Sequence, residues 1–504
     1  MATIATRSTV LSIKKETTEG TPVVPAATTD FIAVQDDLAM APETAQLENA
    51  ELKSSLGMSK TILGMESPTV SFSHYLRASG VVATAPNYGN LLESCLGAVS
   101  IAGAEYNTVA ASTTSIVKVD AGEGASFQRG EALLIKDPTN GYRIRCIDSI
   151  ATDDLTIGFQ VPTAPGTGVN LGRAVLYYPA NASHPTLTAW GYMGNGGAVQ
   201  MVAGCRVTEV SFSIAAGELI NGSYSLEGLA YFFNPMNVVT ADSKIDWTDD
   251  DGTWAATIPT GWYKDPHKLA DAIELAMNDA STETITVTYS NTTGKFTISA
   301  TGTVLSLLWN SGTNTANTIG NLIGFSVAAD DTGTAATTGY TSDNAISYAA
   351  AYAPAYDSAD PLSAKDNEVM IGSASDYACF KASSCDISIA VSKTDVMSVC
   401  SETGKSGSVP NSREVTVTVS ALLEQYDARM WESYREGSNV KFQYSFGQKS
   451  GGSWVAGKCG AIYIPTATVA AFSVTDNDGL VQLEIELKAY VNSSGEGEIF
   501  VNFL

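Results

Sequence analysis

Residues 472–491, FSVTDNDGLVQLEIELKAYV, carry the clearest structural pattern in this chain. Apolar residues occupy every other position from Val481 to Val491, and the positions between them are mostly polar or charged. This alternation predicts an antiparallel strand with one buried face and one hydrated, acidic face. The turn Asp476–Gly479 predicts a hairpin with the preceding strand, which directs Phe472 and Val474 inward.

A second copy of this hairpin lies about 260 residues earlier, in residues 210–232. Aligning Phe212 with Phe472 superimposes the first strand of each copy. Aligning Leu226 with Leu487 superimposes the second strand. In this register both copies keep one apolar and one hydrophilic face, which predicts two related units in one chain.

The hydrophilic face of the two hairpins supplies the candidate functional residues. Hydroxyls of the first copy fall where carboxylates of the second copy fall. The candidates are Glu209, Ser223, Ser225, Glu227, Glu484 and Glu486. The alternation alone leaves two interpretations open, a shared internal surface or the outer solvent.

Similarity upstream of each hairpin extends the repeat. A strand with Val70 precedes a short helix that ends at Gly97, and a strand with Val415 precedes a helix that ends at Gly437. The offset between the copies falls along the chain, so the first unit carries inserted residues. The predicted domains are a first unit of residues 1–100 with 180–235, an inserted small β domain of 101–179, an inserted α+β domain of 236–345, and a second unit of 346–504.

The inserted segments and the termini have their own patterns. Residues 101–179 hold short strands between Gly-, Asp- and Pro-containing turns, the last strand at 174–178, and predict a small β-barrel or sandwich. Residues 266–278 predict an amphipathic helix. Residues 1–30 are rich in Thr and Ala and predict an extended arm, and residues 330–344 predict a linker. The predicted apolar face of the helix consists of Leu269, Ile273, Leu275 and Met277.

Composition excludes several classes of protein. A net charge of −25 disfavours a protein that grips nucleic acid through phosphate contacts. No apolar run is long enough for a membrane span, and residues 1–20 lack the pattern of a signal peptide. Seven cysteines without a C-x-x-C motif predict reduced, partly buried thiols in a cytosolic setting.

Motifs for chemistry are incomplete. Residues 404–406 resemble the end of a phosphate loop, but Val399 stands where the first glycine is required. Residues 249–251 predict a plain turn, with incidental calcium binding as the alternative. His74 shares the apolar face of its strand with Phe72 and predicts a core or interface histidine. We therefore expect no enzyme, no cofactor and no metal site.

This layout resembles the tail tube proteins of long-tailed, siphovirus-type bacteriophages. The resemblance rests on a sandwich unit with one short helix at 427–436, on the closing hairpin of residues 470–491, and on long loops at 36–66 and 395–412. It implies a mainly β fold with two tandem tail-tube-type β-sandwich or barrel units, each with one short helix, plus an inserted small β domain and an inserted α+β domain.

The resemblance also implies a function. Members of the family form rings of six tube units, which stack into the hollow tube through which the genome leaves the capsid. Three two-unit chains would then close one pseudo-sixfold ring, with the six candidate residues lining an acidic lumen and both inserted domains outside. The implied partners are other copies of the chain, other tail proteins and head-to-tail connector proteins. The resemblance further implies that DNA passes without specific binding, that no membrane is involved, and that the protein belongs to the virion after assembly in the host cytoplasm.

Two rival functions fit part of the pattern. A bacterial surface or adhesive β-sandwich protein shares the acidity and the inserted domains, but the free cysteines and the missing signal peptide speak against it. A polysaccharide-binding enzyme of phage tails needs a pair of carboxylates in a cleft, and the sequence shows no local hint of one.

Overall fold

The computed structural model divides the chain into two compact units. The small unit contains Met1–Val10, Trp190–Val202 and Tyr231–Tyr352, and the large unit contains Leu11–Ala189, Ala203–Ala230 and Ala353–Leu504. The residues described are 6–26, 29–51, 59–139, 141–194, 197–333, 336–346, 354–356, 359–423, 429–492 and 497–504.

Strands dominate both units, which confirms the prediction of a mainly β fold. The described residues form three α-helices: α1 Gly89–Leu96, α2 Pro266–Ala280 and α3 Arg429–Glu436. The strands of the first half are β1 Val10–Lys15, β2 Phe31–Ile32, β3 Ala39–Ala41, β4 Thr44–Leu47, β5 Ile62–Glu66, β6 Thr69–Tyr75, β7 Gly97–Ile101, β8 Tyr106–Asn107, β9 Ile116–Lys118, β10 Ala132–Asp137, β11 Gly141–Ala151, β12 Asp154–Ile157, β13 Asn170–Arg173, β14 Val175–Pro179, β15 Leu187–Met193, β16 Ala198–Ala215 and β17 Asn221–Glu227. The later strands are β18 Ala230–Phe233, β19 Met236–Val238, β20 Lys244–Asp249, β21 Gly252–Thr257, β22 Gly261–Tyr263, β23 Ile285–Ser290, β24 Lys295–Ala300, β25 Leu305–Leu307, β26 Tyr340–Thr341, β27 Glu368–Gly372, β28 Tyr377–Cys379, β29 Ala382–Met397, β30 Lys405–Leu422, β31 Val440–Ser450, β32 Ser453–Asn477, β33 Leu480–Ala489 and β34 Phe500–Phe503.

One long antiparallel sheet organises the large unit. Its strand order is β3-β6-β17-β16-β29-β30-β33-β32. The first four strands come from the predicted first unit and the last four from the predicted second unit, and both sets follow the same order. The two sets join where β16 pairs with β29.

Strand pairing corrects the alignment of the two hairpins. Both β16 and β32 contain a β-bulge, one beside the residue opposite Leu226 and the other beside the residue opposite Leu487. With Leu226 and Leu487 equivalent, Phe212 takes the place of Val474 rather than that of Phe472. The predicted alignment of Phe212 was therefore wrong by two residues, because a two-residue shift preserves the alternation and leaves the sequence pattern unchanged.

A second layer covers the apolar face of the long sheet. Its strand order is β7-β14-β34-β32-β31-β27-β28. Strand β32 has 25 residues and belongs to both layers: its first part pairs with β31 and β34, and its last part pairs with β33. Aromatic contacts fill the space between the layers, with His74 stacked on Tyr224 at 5.2 Å and Tyr88 against Phe503 at 5.9 Å between ring centroids.

Residues 101–179 form a six-stranded sheet in the order β8-β13-β10-β11-β12-β9. One face of this sheet has its own apolar core around Leu133 and Ile147. Side chains on the other face pack with Tyr463 and Phe500 of β32 and β34. The prediction for 174–178 was wrong in one respect: β14 pairs with β7 and β34, outside the six-stranded sheet.

The small unit is built around α2. Asp265 caps the helix by accepting a hydrogen bond from the backbone N–H of Lys268 at 2.9 Å. The apolar face buries Leu269, Ile273 and Met277 against the strands, as predicted. Leu275 is exposed, so its assignment to this face was wrong. The buried strands around the helix include β20, β23 and β24.

Three segments predicted as irregular form regular structure. In the predicted arm, β1 is buried and pairs with β2. In the predicted linker 330–344, β26 pairs with β24 and Tyr340 lies in the core of the small unit. The predicted loop 395–412 is the far end of a long hairpin formed by β29 and β30, and within the predicted loop 36–66 strand β4 pairs with β5. These strands escaped prediction because their partners are distant or their sequences lack apolar alternation.

Candidate functional site

The long sheet presents one hydrophilic face across seven paired strands. A single row of this face runs from β6 to β32 through hydroxyl groups and one amine: Ser73, Ser223, Ser211, Ser388, Thr416, Lys488 and Thr468. The Oγ atoms of Ser73 and Ser223 lie 2.9 Å apart. Adjacent residues on each strand point the other way, so the face is set by the period of two.

The opposite face of the same strands is apolar and buried. Its neighbouring row consists of His74, Gly222, Phe212, Ile387, Val417, Leu487 and Val469. Ile387, Val417 and Leu487 are fully buried. Burial of this face fixes the orientation of every strand, because a slip of one residue would exchange the two faces.

All six candidate residues lie on the hydrophilic face. On the first hairpin, Glu209 is exposed and pairs with Ser225, two residues from Ser223. On the second hairpin, Glu484 is exposed and Glu486 is half-buried. Strands β29 and β30 separate the two groups, which places them about 14 Å apart across the sheet. The structure therefore collects these residues on one surface without bringing them into a single cluster.

Glu227 differs from the other candidates because two lysines neutralise it. Its Oε1 lies 2.9 Å from Nζ of Lys393 and 3.3 Å from Nζ of Lys405. Asp395 pairs with the same two lysines, and Lys405 is fully buried. Burial would raise the pKa of Asp395, but hydrogen bonds from the two lysines outweigh burial and lower it. This cluster ties the far end of the β29–β30 hairpin to the end of β17.

The structure adds two acidic residues that the sequence reasoning missed. Asp386 is exposed on β29 and accepts a hydrogen bond from Oγ of Ser213 at 2.7 Å. Glu414 is exposed on β30 and its carboxylate lies 3.0 Å from Nζ of Lys488. The signal was available, because residues 384–390 alternate polar and apolar side chains as clearly as the two hairpins do.

The net charge of this face is negative. Its exposed or half-buried carboxylates without a lysine pair are Glu209, Asp386, Glu484 and Glu486. Lys488 supplies a positive charge, and the hydrogen bond from its amine to Glu414 raises the pKa of Lys488. The face can therefore repel a polyanion and offers a phosphate mainly hydroxyl groups, since the amine of Lys488 is paired with Glu414.

Two other titratable side chains, those of His74 and Cys95, are buried in the core. His74 is buried, and burial lowers its pKa to about 4, so it is neutral near neutral pH, as expected for a core histidine. Its ring lies 4.4 Å from that of Tyr88. Cys95 is buried, and burial raises its pKa to about 12. The seven cysteines form no disulfide bond, and Cys379 and Cys400 are exposed.

The acidic turn 249–251 is held by hydrogen bonds within the small unit. Asp249 accepts hydrogen bonds from Nε1 of Trp254 at 2.7 Å and from Oγ of Ser281 at 2.6 Å. Asp250 accepts one from Oγ1 of Thr303 at 2.8 Å. Among the described residues, no group of three or more His, Cys, Asp or Glu side chains has the arrangement of a metal site. In the same part of the chain, no helix has the length and hydropathy to cross a membrane.

Comparison with known proteins gives one family and several distant structures. A family model described as phage tail tube protein matches residues 6–257, which is half of the chain. A chain from the virion of a native gene transfer agent is 13% identical, with 25% of this chain and 92% of that chain covered at a TM-score of 0.18. The SPP1 tail tube protein is 16% identical, with 28% and 77% covered at a TM-score of 0.19. A type six secretion system protein is 10% identical, with 26% and 88% covered at a TM-score of 0.16. No curated protein matches the chain.

Proposed function

Because the chain belongs to the phage tail tube protein family, we propose that three copies of this structural subunit close one ring of a siphovirus-type bacteriophage tail tube. Tail tube proteins assemble with themselves, so other copies of the chain are its first partners and the virion is its location. Family membership also favours this function over an adhesin or a polysaccharide-binding enzyme.

The strand order of the long sheet carries the three-chain proposal. Two sets of four strands follow one another in the same order, and they join edge to edge at β16 and β29 within one chain. The number of four-strand sets, and not the number of polypeptide chains, determines when such a ring is complete. Three chains with two sets each then supply the six units expected for a tail tube ring.

The hydrophilic face supports a lumen that conducts DNA. Glu209, Glu484 and Glu486 share this face with Asp386 and with rows of hydroxyl groups. Carboxylates repel phosphate, and hydroxyls provide weak contacts that no single sequence satisfies better than another. We infer that this face lines the bore and lets the genome slide without specific binding.

The position of residues 101–179 agrees with this orientation. Their six-stranded sheet packs on β32 and β34 of the second layer, which lies behind the apolar face of the long sheet. A domain on that side stays clear of the bore. We propose that residues 236–345 also project outward, and that head-to-tail connector proteins contact the ends of the tube.

Electron microscopy of the purified protein tests the proposal. We expect stacked rings with a central hole of DNA width and threefold symmetry that approximates sixfold at low resolution. The number of chains in a ring follows from native mass spectrometry of the same sample. Rings of six chains, or particles without an axial hole, contradict the three-chain tube, and a uniformly monomeric protein favours the adhesin.

A further inference from the structure

The long sheet ends in two free edges that differ from its internal joint. Within the described residues, no strand pairs with the outer edge of β3 or with the outer edge of the last part of β32. Unpaired edges are ready to pair with another strand, and proteins usually protect them by charge, by a bulge or by a partner. These two edges bound the two ends of the same hydrophilic face.

Apolar side chains at the free edge of β32 are exposed, whereas those at the equivalent places on β16 are buried. Val474 is 56% exposed, whereas Phe212, which takes the equivalent place on β16, is 1% exposed. The difference comes from β29, which pairs with β16 and covers Phe212 through Ile387. In the described part of the chain, the last part of β32 has no such neighbour.

Helix α3 shows the same difference in exposure from its counterpart α1. Gly97 and Gly437 end the two helices, and counting back from them makes Trp431 the counterpart of Leu91. Leu91 is fully buried, whereas Trp431 is 48% exposed. The ring of Trp431 lies 5.9 Å from that of Phe472 beside the β32 edge. We define Trp431, Phe472 and Val474 as the open apolar edge.

We propose that the open apolar edge pairs with β3 of a second copy of the chain, in the register that β16 and β29 show within one chain. This inference rests on the proposed ring and adds its residue-level contact. Met40 of β3 pairs with Val70, as Ile387 of β29 pairs with Val417, so Met40 is the counterpart of Ile387.

The register then follows from the internal joint. Phe212 pairs with Ile387 across that joint. Replacing each residue by its counterpart places Val474 of one copy opposite Met40 of the next. The contact covers apolar side chains on one face and continues the row of hydroxyls and carboxylates on the other. It also removes both free edges, because the sheet of the last copy meets that of the first.

Cross-linking across the predicted joint tests the register. The variant carries Val474→Cys and Met40→Cys in a background with Cys379→Ser and Cys400→Ser, which removes the exposed native thiols. Directly opposed residues in antiparallel strands lie within the Cα distance that a disulfide requires. Mild oxidation of assembled rings should give covalent dimers and trimers, and the series should stop at the trimer.

Two matched variants calibrate this experiment. Ile214→Cys faces the native Cys385 across the internal joint, two residues along from the Phe212–Ile387 pair, and should form a disulfide within one chain. Val474→Cys with Leu38→Cys shifts the register by two residues, or about 7 Å, and should cross-link at least tenfold less. Because Val474 is exposed and Met40 is half-buried, the substitutions Val474→Cys and Met40→Cys leave the core intact.

The outcomes separate this inference from the ring itself. If rings form but the Val474–Met40 variant cross-links no more than the Val474–Leu38 variant, the predicted joint is overturned and the proposed ring is unaffected. A cross-linked series that closes at six chains keeps the joint and rejects the three-chain ring. Monomeric protein without cross-links overturns both.

Discussion

His74 shows how a single residue reports on the packing between the layers. It lies among Tyr88, Tyr224 and Phe72, and burial lowers its pKa from 6.5 to about 4. Below pH 6.5 the unfolded chain takes up a proton at this position that the folded chain accepts only near pH 4. Stability should therefore fall as the pH falls across this window, by up to about 3 kcal/mol.

The variant His74→Phe should lose this part of the pH dependence, because phenylalanine fits the aromatic stack and does not titrate. The measurement is the free energy of unfolding in urea for the unassembled protein at several pH values. His267→Phe provides the control, since His267 is exposed in the small unit. Equal pH slopes for the wild type and His74→Phe would show that His74 is not a buried neutral group.

Residue patterns predicted the location of His74 but not that of the lysine cluster. The apolar alternation around Phe72 was enough to place His74 in the core. The partners of Glu227 lie more than 160 positions away, at Lys393 and Lys405. No local rule links such positions, because their approach depends on how the β29–β30 hairpin lies against β17.

At the scale of elements, the carboxylates of β33 allow a test of the proposal that the hydrophilic face lines the lumen. Glu484→Lys with Glu486→Lys places two phosphate-binding cations on the hydrophilic face while leaving the buried Leu483, Ile485 and Leu487 unchanged. Tubes should still assemble, because the apolar face and the backbone pairing remain. DNA ejection should slow by at least several-fold at low salt and recover as salt screens the new contacts. Ejection is measured as fluorescent dye binding to released DNA.

A charge-matched variant distinguishes the lumen from a general effect of charge. Asp271→Lys with Asp279→Lys makes the same change on exposed positions of α2 in the small unit and should leave ejection unchanged. Normal ejection from the Glu484 and Glu486 variant would remove these residues from the lumen. Slowed ejection in both variants would point to net charge instead.

Elements with a local period were predictable, and elements defined by remote partners were not. Strands β6, β30 and β33 follow from alternation, α1 follows from helical spacing with a stop at Gly97, and α2 follows from helical spacing alone. Strands β1 and β26 were missed because they are short and lie in Thr- and Ala-rich segments, where a strand forms only when a remote edge accepts it. The far end of the β29–β30 hairpin was missed for another reason, because its sequence lacks apolar alternation.

At the scale of the whole molecule, the proposal predicts that residues 236–345 are dispensable for assembly. Replacing them by a Gly-Ser linker should leave tubes of unchanged bore in electron micrographs, because the long sheet contains none of these residues. Ile387→Asp is the control for sensitivity: it buries a charge at the centre of the sheet and should abolish tubes. A soluble, folded deletion variant that fails to polymerise would place this segment in the tube wall.

The sequence predicted two related units, but it did not predict which strands would join them. Equal order of strands and helices in each half predicted two related units. Which edges would meet depended on tertiary contacts, and the pairing of β16 with β29 supplied that answer. The pairings within the two hairpins, β16 with β17 and β32 with β33, revealed the two-residue error in the alignment of Phe212.

Strand β32 gives the proposed tube a mechanical property. Because this one strand belongs to both layers, an outward push on the channel wall is transmitted along covalent backbone to the outer layer. Side-chain packing alone would let the two layers shear apart under such a load. A pressurised genome would therefore have to strain the continuous backbone of β32, which occurs once in every chain, before it could separate the inner layer from the outer layer.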